Sequence, residues 1–174
     1  ETLAGILEGR ANGAAAAVDM GVPRFDWDAI PLAYAMDTLS MPVGWEDLSA
    51  PAAVNVGNPH IVFFVDEADA VDLARLGPEI ETDPLFPERV NVGVAEVTAA
   101  DALTLRVWER GAGLTQACGT GACAAAVAAA RRRLTGRQVR VTLPGGPLDI
   151  DWRADDHILM SGPAEIAFTG EIAL

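Results

Sequence analysis

The richest chemistry in this sequence lies in one stretch, Ala117-Cys118-Gly119-Thr120-Gly121-Ala122, where a thiol stands at the entry to an alanine-rich segment. Alanine is the best helix former, so Ala124 to Arg133 reads as the strongest helix of the chain. Arg131, Arg132 and Arg133 suit the negative end of its dipole, and Gly136 closes it. The first turn of a helix leaves backbone N–H groups unpaired and carries partial positive charge. A cysteine placed there is expected to have its thiolate stabilised and its pKa lowered. The same N–H groups can hold a carboxylate beside it. One short segment therefore offers a base and an anion clamp. The competing reading is a buried structural cysteine whose glycines only tighten a turn. Cys123 sits roughly 140° around the helix and ~8–9 Å from Cys118, so the two share neither a face nor a disulfide. Cys123 reads as core packing.

Two further sites of chemistry stand at expected strand ends. His60 follows the polar turn Gly57-Asn58-Pro59 and precedes the β-branched and aromatic run Ile61 to Val65, a buried strand by composition. His157, beside Asp155 and Asp156, reads as a solvated turn residue. Glu109 and Arg110 end the alternating run Leu103 to Arg110. They read either as an ion pair in a loop or as a substrate-binding pair, Arg for a carboxylate and Glu for an ammonium. No ligand spacing for zinc is present, so no metal site is expected, and no phosphate-binding glycine motif of Walker or dinucleotide type occurs. A thiol hydrolase built on Cys118 and His60 lacks a third group to orient the histidine.

The elements that must position these residues read as α+β. Residues 14–18 are ambiguous between helix and strand, and Val22 to Pro42 reads as loop and turn. A helix is expected from Asp66, stopped by Gly77-Pro78. Val90 to Val97 and Leu103 to Arg110 alternate as strands. The last third, with Val139 to Leu143, Leu148 to Trp152, His157 to Met160 and Ile166 to Phe168, reads as a meander. The helix after Cys118 has alanine on every face, so it is expected to be surrounded by protein.

The composition agrees with a folded domain: 174 residues, 51% hydrophobic and 21% charged. A net charge of −13, with 12 arginines as the only basic residues besides two histidines, argues against nucleic acid and anionic lipid as partners. No apolar run approaches the ~20 residues of a membrane span. The first residues lack a signal-type basic and apolar pattern, so the expected location is the cytoplasm.

The stretch Trp108 to Ala124 closely resembles the C-terminal catalytic motif of the diaminopimelate epimerases. So do Gly57-Asn58-Pro59-His60, Phe86-Pro87-Glu88-Arg89-Val90-Asn91, Leu143-Pro144-Gly145-Gly146 and Met160-Ser161-Gly162, in matching order over about residues 14–174. The resemblance implies a cofactor-independent enzyme of lysine and peptidoglycan biosynthesis that interconverts LL- and meso-diaminopimelate, commonly as a homodimer. It implies a fold of two similar halves, each a barrel-like sheet around a central buried helix, with one cysteine from each half in the cleft between them. Inversion without a cofactor needs two groups on opposite faces of a planar carbanion, because a single base tends to return the proton to the face it came from. Carried over by motif, Cys118 is one of that pair, assisted by His60 and Glu109. Asn58, Asn91, Glu109 and Arg110 resemble substrate contacts, and Gly119 and Thr120 resemble the backbone donors for the α-carboxylate.

The half carrying the other cysteine is missing from this sequence, and Ala11-Asn12-Gly13-Ala14 supplies no thiol. On this reading residues 1–20 are the end of that half with a crossover strand. Residues 21–162 are the C-terminal epimerase domain, and residues 163–174 are a strand returning to the missing half. The isolated chain is then expected to epimerise poorly or not at all. The alternatives are a related isomerase of the same fold, of proline racemase or phenazine type, and a non-catalytic half-domain that docks with a separate N-terminal half.

Overall fold

The computed structural model describes residues 7–165 and 168–172. A hairpin of β1 (Glu8–Asn12) and β2 (Ala15–Asp19) opens the chain, so the ambiguous residues after Gly13 are strand. Residues 20–43 form the expected loop. Two very short strands follow, β3 (Gly44–Trp45) and β4 (Leu48–Ser49), where the sequence shows no period. Then come β5 (Ala52–Asn55), β6 (Pro59–Val65), α1 (Leu73–Glu81), β7 (Asn91–Ala99), β8 (Ala102–Glu109) and β9 (Gly113–Thr115). After α2 (Gly119–Arg131) the meander β10 (Gln138–Leu143), β11 (Gly146–Trp152) and β12 (Ile158–Pro163) closes the fold. Ile166 and Ala167 of the last expected strand lie outside the described residues, as do residues 1–6, 173 and 174.

One sheet of ten strands runs in the order β1-β2-β12-β11-β10-β8-β7-β6-β5, with β9 paired to β8. It is antiparallel except for two parallel joins, β6 to β7 and β8 to β10. Parallel neighbours need long crossovers. One carries α1 and the other carries β9 and α2. The sheet bends around α2, which touches β5, β6, β7, β8, β10, β11 and β12. Residues 121–129 of this helix are all buried, as its uniform alanine composition implies. Small side chains let the strands close in on the helix from all sides without voids.

β6 and β7 are buried on both faces. Val62 and Ala95 join the cluster around α2, while Ile61, Phe63, Val92 and Val94 join a second cluster with α1, Ile30, Leu32 and Met41. That is why Ile61 to Val65 reads as an unbroken apolar run. The loop of residues 20–43 covers the β5 edge through backbone bonds between Arg24 and Asn55 and a bond from Ala53 N to Thr38 O. Its far end is tied to α2, because the Arg132 guanidinium donates to Leu39 O and Ala50 O.

The helix expected from Asp66 to Gly77 is displaced. Residues 68–70 make a single 3₁₀ turn, and α1 starts only at Leu73, where the Asp72 carboxylate accepts the Arg75 N–H at 3.3 Å. It then continues through Pro78. Part of the proline's clash with a helix falls on the Cβ of the residue before it, and that residue is Gly77. Gly77 is also required by packing: a Cβ there would lie 2.4 Å from the Trp108 indole. His60 differs as well. It is the second residue of β6 and 1% exposed, so it is enclosed within the strand it is expected to precede.

Gly77→Ala should therefore destabilise the fold by about 1–3 kcal/mol, because the indole has no room to retreat. Gly136→Ala, which meets no atom within 4 Å, should stay within about 1 kcal/mol of the parent. Denaturant midpoints of the two variants, at unchanged m-value, check the contrast.

Candidate active site

Cys118 caps α2. Its Sγ accepts the Gly121 N–H at 3.3 Å, the position usually filled by a serine or aspartate oxygen, and Ala122 N–H reaches its carbonyl at 2.9 Å. The amides of Gly119 and Thr120, the first two of the helix, find no acceptor among the described residues. They remain available to an anion.

A side-chain chain leads away from the thiol. Thr120 Oγ1 lies 3.6 Å from Cys118 Sγ and 3.1 Å from His60 Nε2, and His60 Nε2 lies 3.0 Å from Asn58 Oδ1. The Asn58 oxygen only accepts, so the proton of the imidazole sits on Nε2. Burial, and then the positive charge of Arg110, push the His60 ring down to a pKa of about 3, so it is neutral. The histidine comes from β6, the threonine from α2, and they meet because the sheet folds β6 against the helix.

On the other side of the thiol stands Glu109, the last residue of β8. Thr115 of β9 donates to Glu109 Oε1 at 2.6 Å and so fixes the carboxylate. Arg110, the next residue, is exposed, and its NH1 donates to Glu88 O at 2.9 Å. Glu109 and Arg110 form no ion pair with each other among the described residues, which removes the loop ion-pair reading. Asn91 is 2% exposed and engaged at both ends: Nδ2 donates to Pro59 O at 2.7 Å, and Oδ1 accepts the Arg110 N–H at 2.9 Å. It braces the Asn58–His60 turn against the Glu109–Arg110 turn.

Sequence spacing misjudged the electrostatics of the thiol. The helix terminus leads one to expect a lowered pKa, yet Cys118 is raised. Burial is the largest cause, the hydroxyl of Thr120 and the amide of Gly121 oppose it, and the Glu109 carboxylate adds to the rise. At 4% exposure the loss of water outweighs the helix terminus. Cys118 therefore rests as a thiol. Cys123, fully enclosed, is pushed up to about 12, and both cysteines are free.

Two supports went unseen in the sequence. The Thr120 hydroxyl bridges His60 and Cys118, where only its backbone was expected to matter. Gly145, in the Leu143-Pro144-Gly145-Gly146 turn, donates its N–H to Gln116 O at 2.7 Å and so pins the segment that enters Cys118. A Cβ at Gly145 would lie 2.9 Å from that oxygen. His157, expected to be solvated, is half-buried and contacts Asp19 Oδ1 at 2.9 Å on the far hairpin, away from the thiol. Among the described residues no group of three His, Cys, Asp or Glu side chains is placed to hold a metal ion.

The neutral state of His60 has a thermodynamic signature. Above its ordinary pKa of 6.5 the ring is neutral whether the chain is folded or not, and it leaves stability unchanged. Between pH 6.5 and about 3 the unfolded chain binds a proton that the folded one refuses. Stability should therefore fall with acidification by up to about 1.4 kcal/mol per pH unit from this group. Denaturant midpoints at about pH 8 and about pH 4 should show that part of the slope vanish in His60→Gln.

Comparison with known proteins bears on the family and the fold. The diaminopimelate epimerase family profile matches residues 52–167. The diaminopimelate epimerase of Erythrobacter litoralis is 69% identical over 170 residues, covering 98% of this chain and 63% of that protein. The one from Rhizorhabdus wittichii is 65% identical over 174 residues, covering 100% of this chain and 64% of its own length. The chain thus spans a little under two thirds of the curated relatives it matches. Among solved structures, a probable proline racemase from Agrobacterium radiobacter superposes with a TM-score of 0.63 at 16% identity, over 100% of this chain and 59% of that one. A phenazine biosynthesis protein from Bacillus anthracis gives 0.54 at 14%, over 90% and 60%. These two likenesses speak for the fold alone. A helix-capping thiol beside a histidine and a glutamate, on this fold and with these relatives, places the chain in the diaminopimelate epimerase family.

Proposed function

We propose that the whole protein epimerises diaminopimelate without a cofactor and that this chain supplies the acid/base group for one face of the substrate. The observation that carries the reading is the Cys118 thiol at the tip of α2, linked through Thr120 to a neutral His60 and flanked by Glu109. A thiol held in this way can deliver its proton to one face of an α-carbanion. In the reverse direction the thiolate accepts the α-hydrogen, with the threonine hydroxyl donating toward sulfur and the His60 Nε2–H shared between Asn58 Oδ1 and Thr120 Oγ1. The free amides of Gly119 and Thr120 hold the α-carboxylate, which spreads the developing charge. Arg110 binds a carboxylate, Glu109 an ammonium and Asn58 a further polar group, while Asn91, engaged at both ends, acts by holding their turns in place rather than by touching substrate.

The second thiol is then supplied by a half that this sequence does not contain, with the boundaries near residues 20 and 163. The exposed apolar side chains of Phe168 and Ile172 favour a covering surface beside the C-terminal segment. The same reading sets the enzyme in the cytoplasm, as a homodimer, making a precursor of lysine and peptidoglycan. No helix among the described residues is long and apolar enough to cross a membrane. The fold likeness to a proline racemase leaves a cyclic amino acid as the competing substrate.

The test is turnover of LL-diaminopimelate in D2O by the whole protein, with deuterium at the α-carbon of the product read by mass spectrometry. Cys118→Ser should lower the rate by roughly 10²–10⁴-fold. Cys123→Ser should keep most of it. An aziridine analogue of diaminopimelate should label Cys118, as shown by peptide mapping. Full turnover by Cys118→Ser, labelling of Cys123 instead, or preference for proline would overturn the proposal.

A further inference from the structure

Glu81, the last residue of α1, is a buried carboxylate with no part in the chemistry above; its side chain is 6% exposed. Its two oxygens grip the two residues that flank the Glu109–Arg110 pair. Oε2 accepts the Trp108 indole N–H at 2.7 Å, and Oε1 accepts the Gly111 N–H at 2.9 Å. The Arg89 guanidinium stands 3.5 Å from Oε1. Burial alone would raise its pKa, but the indole, the Gly111 amide and Arg89 together hold Glu81 below its ordinary value, so it stays ionised. Trp108 is itself locked against α1, since the indole packs where Gly77 has no side chain. Through this carboxylate and this ring the helix holds both sides of the Glu109–Arg110 pair.

We propose that Glu81 is a positioning residue that sets the Glu109–Arg110 turn and acts on Cys118 through Glu109. The proposal rests on the reading of Cys118 and Glu109 as neighbours in the acid/base site. It goes beyond that reading because Glu81 touches neither the thiol nor the face offered to a substrate. A carboxylate is required, because two N–H groups on separate residues must each meet an oxygen. A glutamine offers one oxygen and turns its NH2 against the other donor. The turn then shifts, and the Glu109 carboxylate moves with it.

The experiment measures iodoacetamide alkylation of Cys118 against pH in the whole protein, with peptide mapping to separate Cys123. Glu109→Gln should speed alkylation at neutral pH, because it removes the charge that disfavours the thiolate. Glu81→Gln should speed it by roughly two- to threefold. Added to Glu109→Gln, Glu81→Gln should change nothing further, since its effect passes through the missing carboxylate. Should Glu81→Gln fail to fold, Trp108→Phe removes one of the gripped donors and enters the same cycle. Equal acceleration in both backgrounds, or a lowered Tm with an unmoved pH profile, would overturn the proposal. The readout is a thiol and not turnover, so a whole protein that fails to epimerise diaminopimelate yet shows this cycle would lose the proposed function and keep the role of Glu81.

Discussion

Everything at the candidate site depends on a helix enclosed by its own sheet. α2 touches seven strands, and residues 121–129 have no exposed side. A helix walled in this way can offer only its ends to the outside. Its C-terminal end is occupied: the Arg132 guanidinium binds carbonyls of the loop around residues 39–50, and the Arg131 guanidinium lies 3.8 Å over the Phe25 ring. That leaves the N-terminal end, where two backbone amides and one thiol stand together. The alanine content and the placement of Cys118 are therefore two aspects of one constraint. Larger side chains would hold the strands away and let the capping position drift.

The same enclosure explains the electrostatics. Water is excluded from His60 and Cys118, so each keeps its uncharged form: the imidazole without a second proton, the thiol with its only one. In a dry site the Thr120 hydroxyl and the His60 ring can hydrogen-bond the sulfur's surroundings as the thiol gives up its proton, without a second buried charge. Glu109 and Arg110 lie at and just beyond the strand end, where the exposure rises.

Much of this was legible in the residues. The alanine run gave α2 and its burial, and the alternation of Leu103, Leu105 and Val107 gave β8 with Glu109 at its end. The motif around Cys118 pointed to the family. The start of α1 was not legible, because a capping aspartate at 72 and an acidic run from 66 look alike until the Asp72 carboxylate is seen to accept from Arg75. Nor was the packing of Gly77, the residue that eases the helix through Pro78, against an indole thirty-one residues away. The pKa of Cys118 was misjudged for a related reason. Sequence shows that a thiol begins a helix, but not how completely the surrounding strands dry it. Glu81 was silent throughout, since its partners at Trp108 and Gly111 are brought to it only by the pairing of β7 with β8 and the docking of α1 on both.

β6 and β7 form the common wall of two apolar clusters, one holding α2 and the other holding α1 and the long loop. Neither cluster can open without stripping one face of the same two strands. The protein is thus a single cooperative unit despite having two cores, and the amides of Ile61 to Phe63 and Val92 to Val94 belong to its last region to exchange with solvent hydrogen. The turn that carries Asn58 and the strand that carries Asn91 are anchored in that wall. Thermal motion large enough to disperse the active site is therefore the same motion that unfolds the chain.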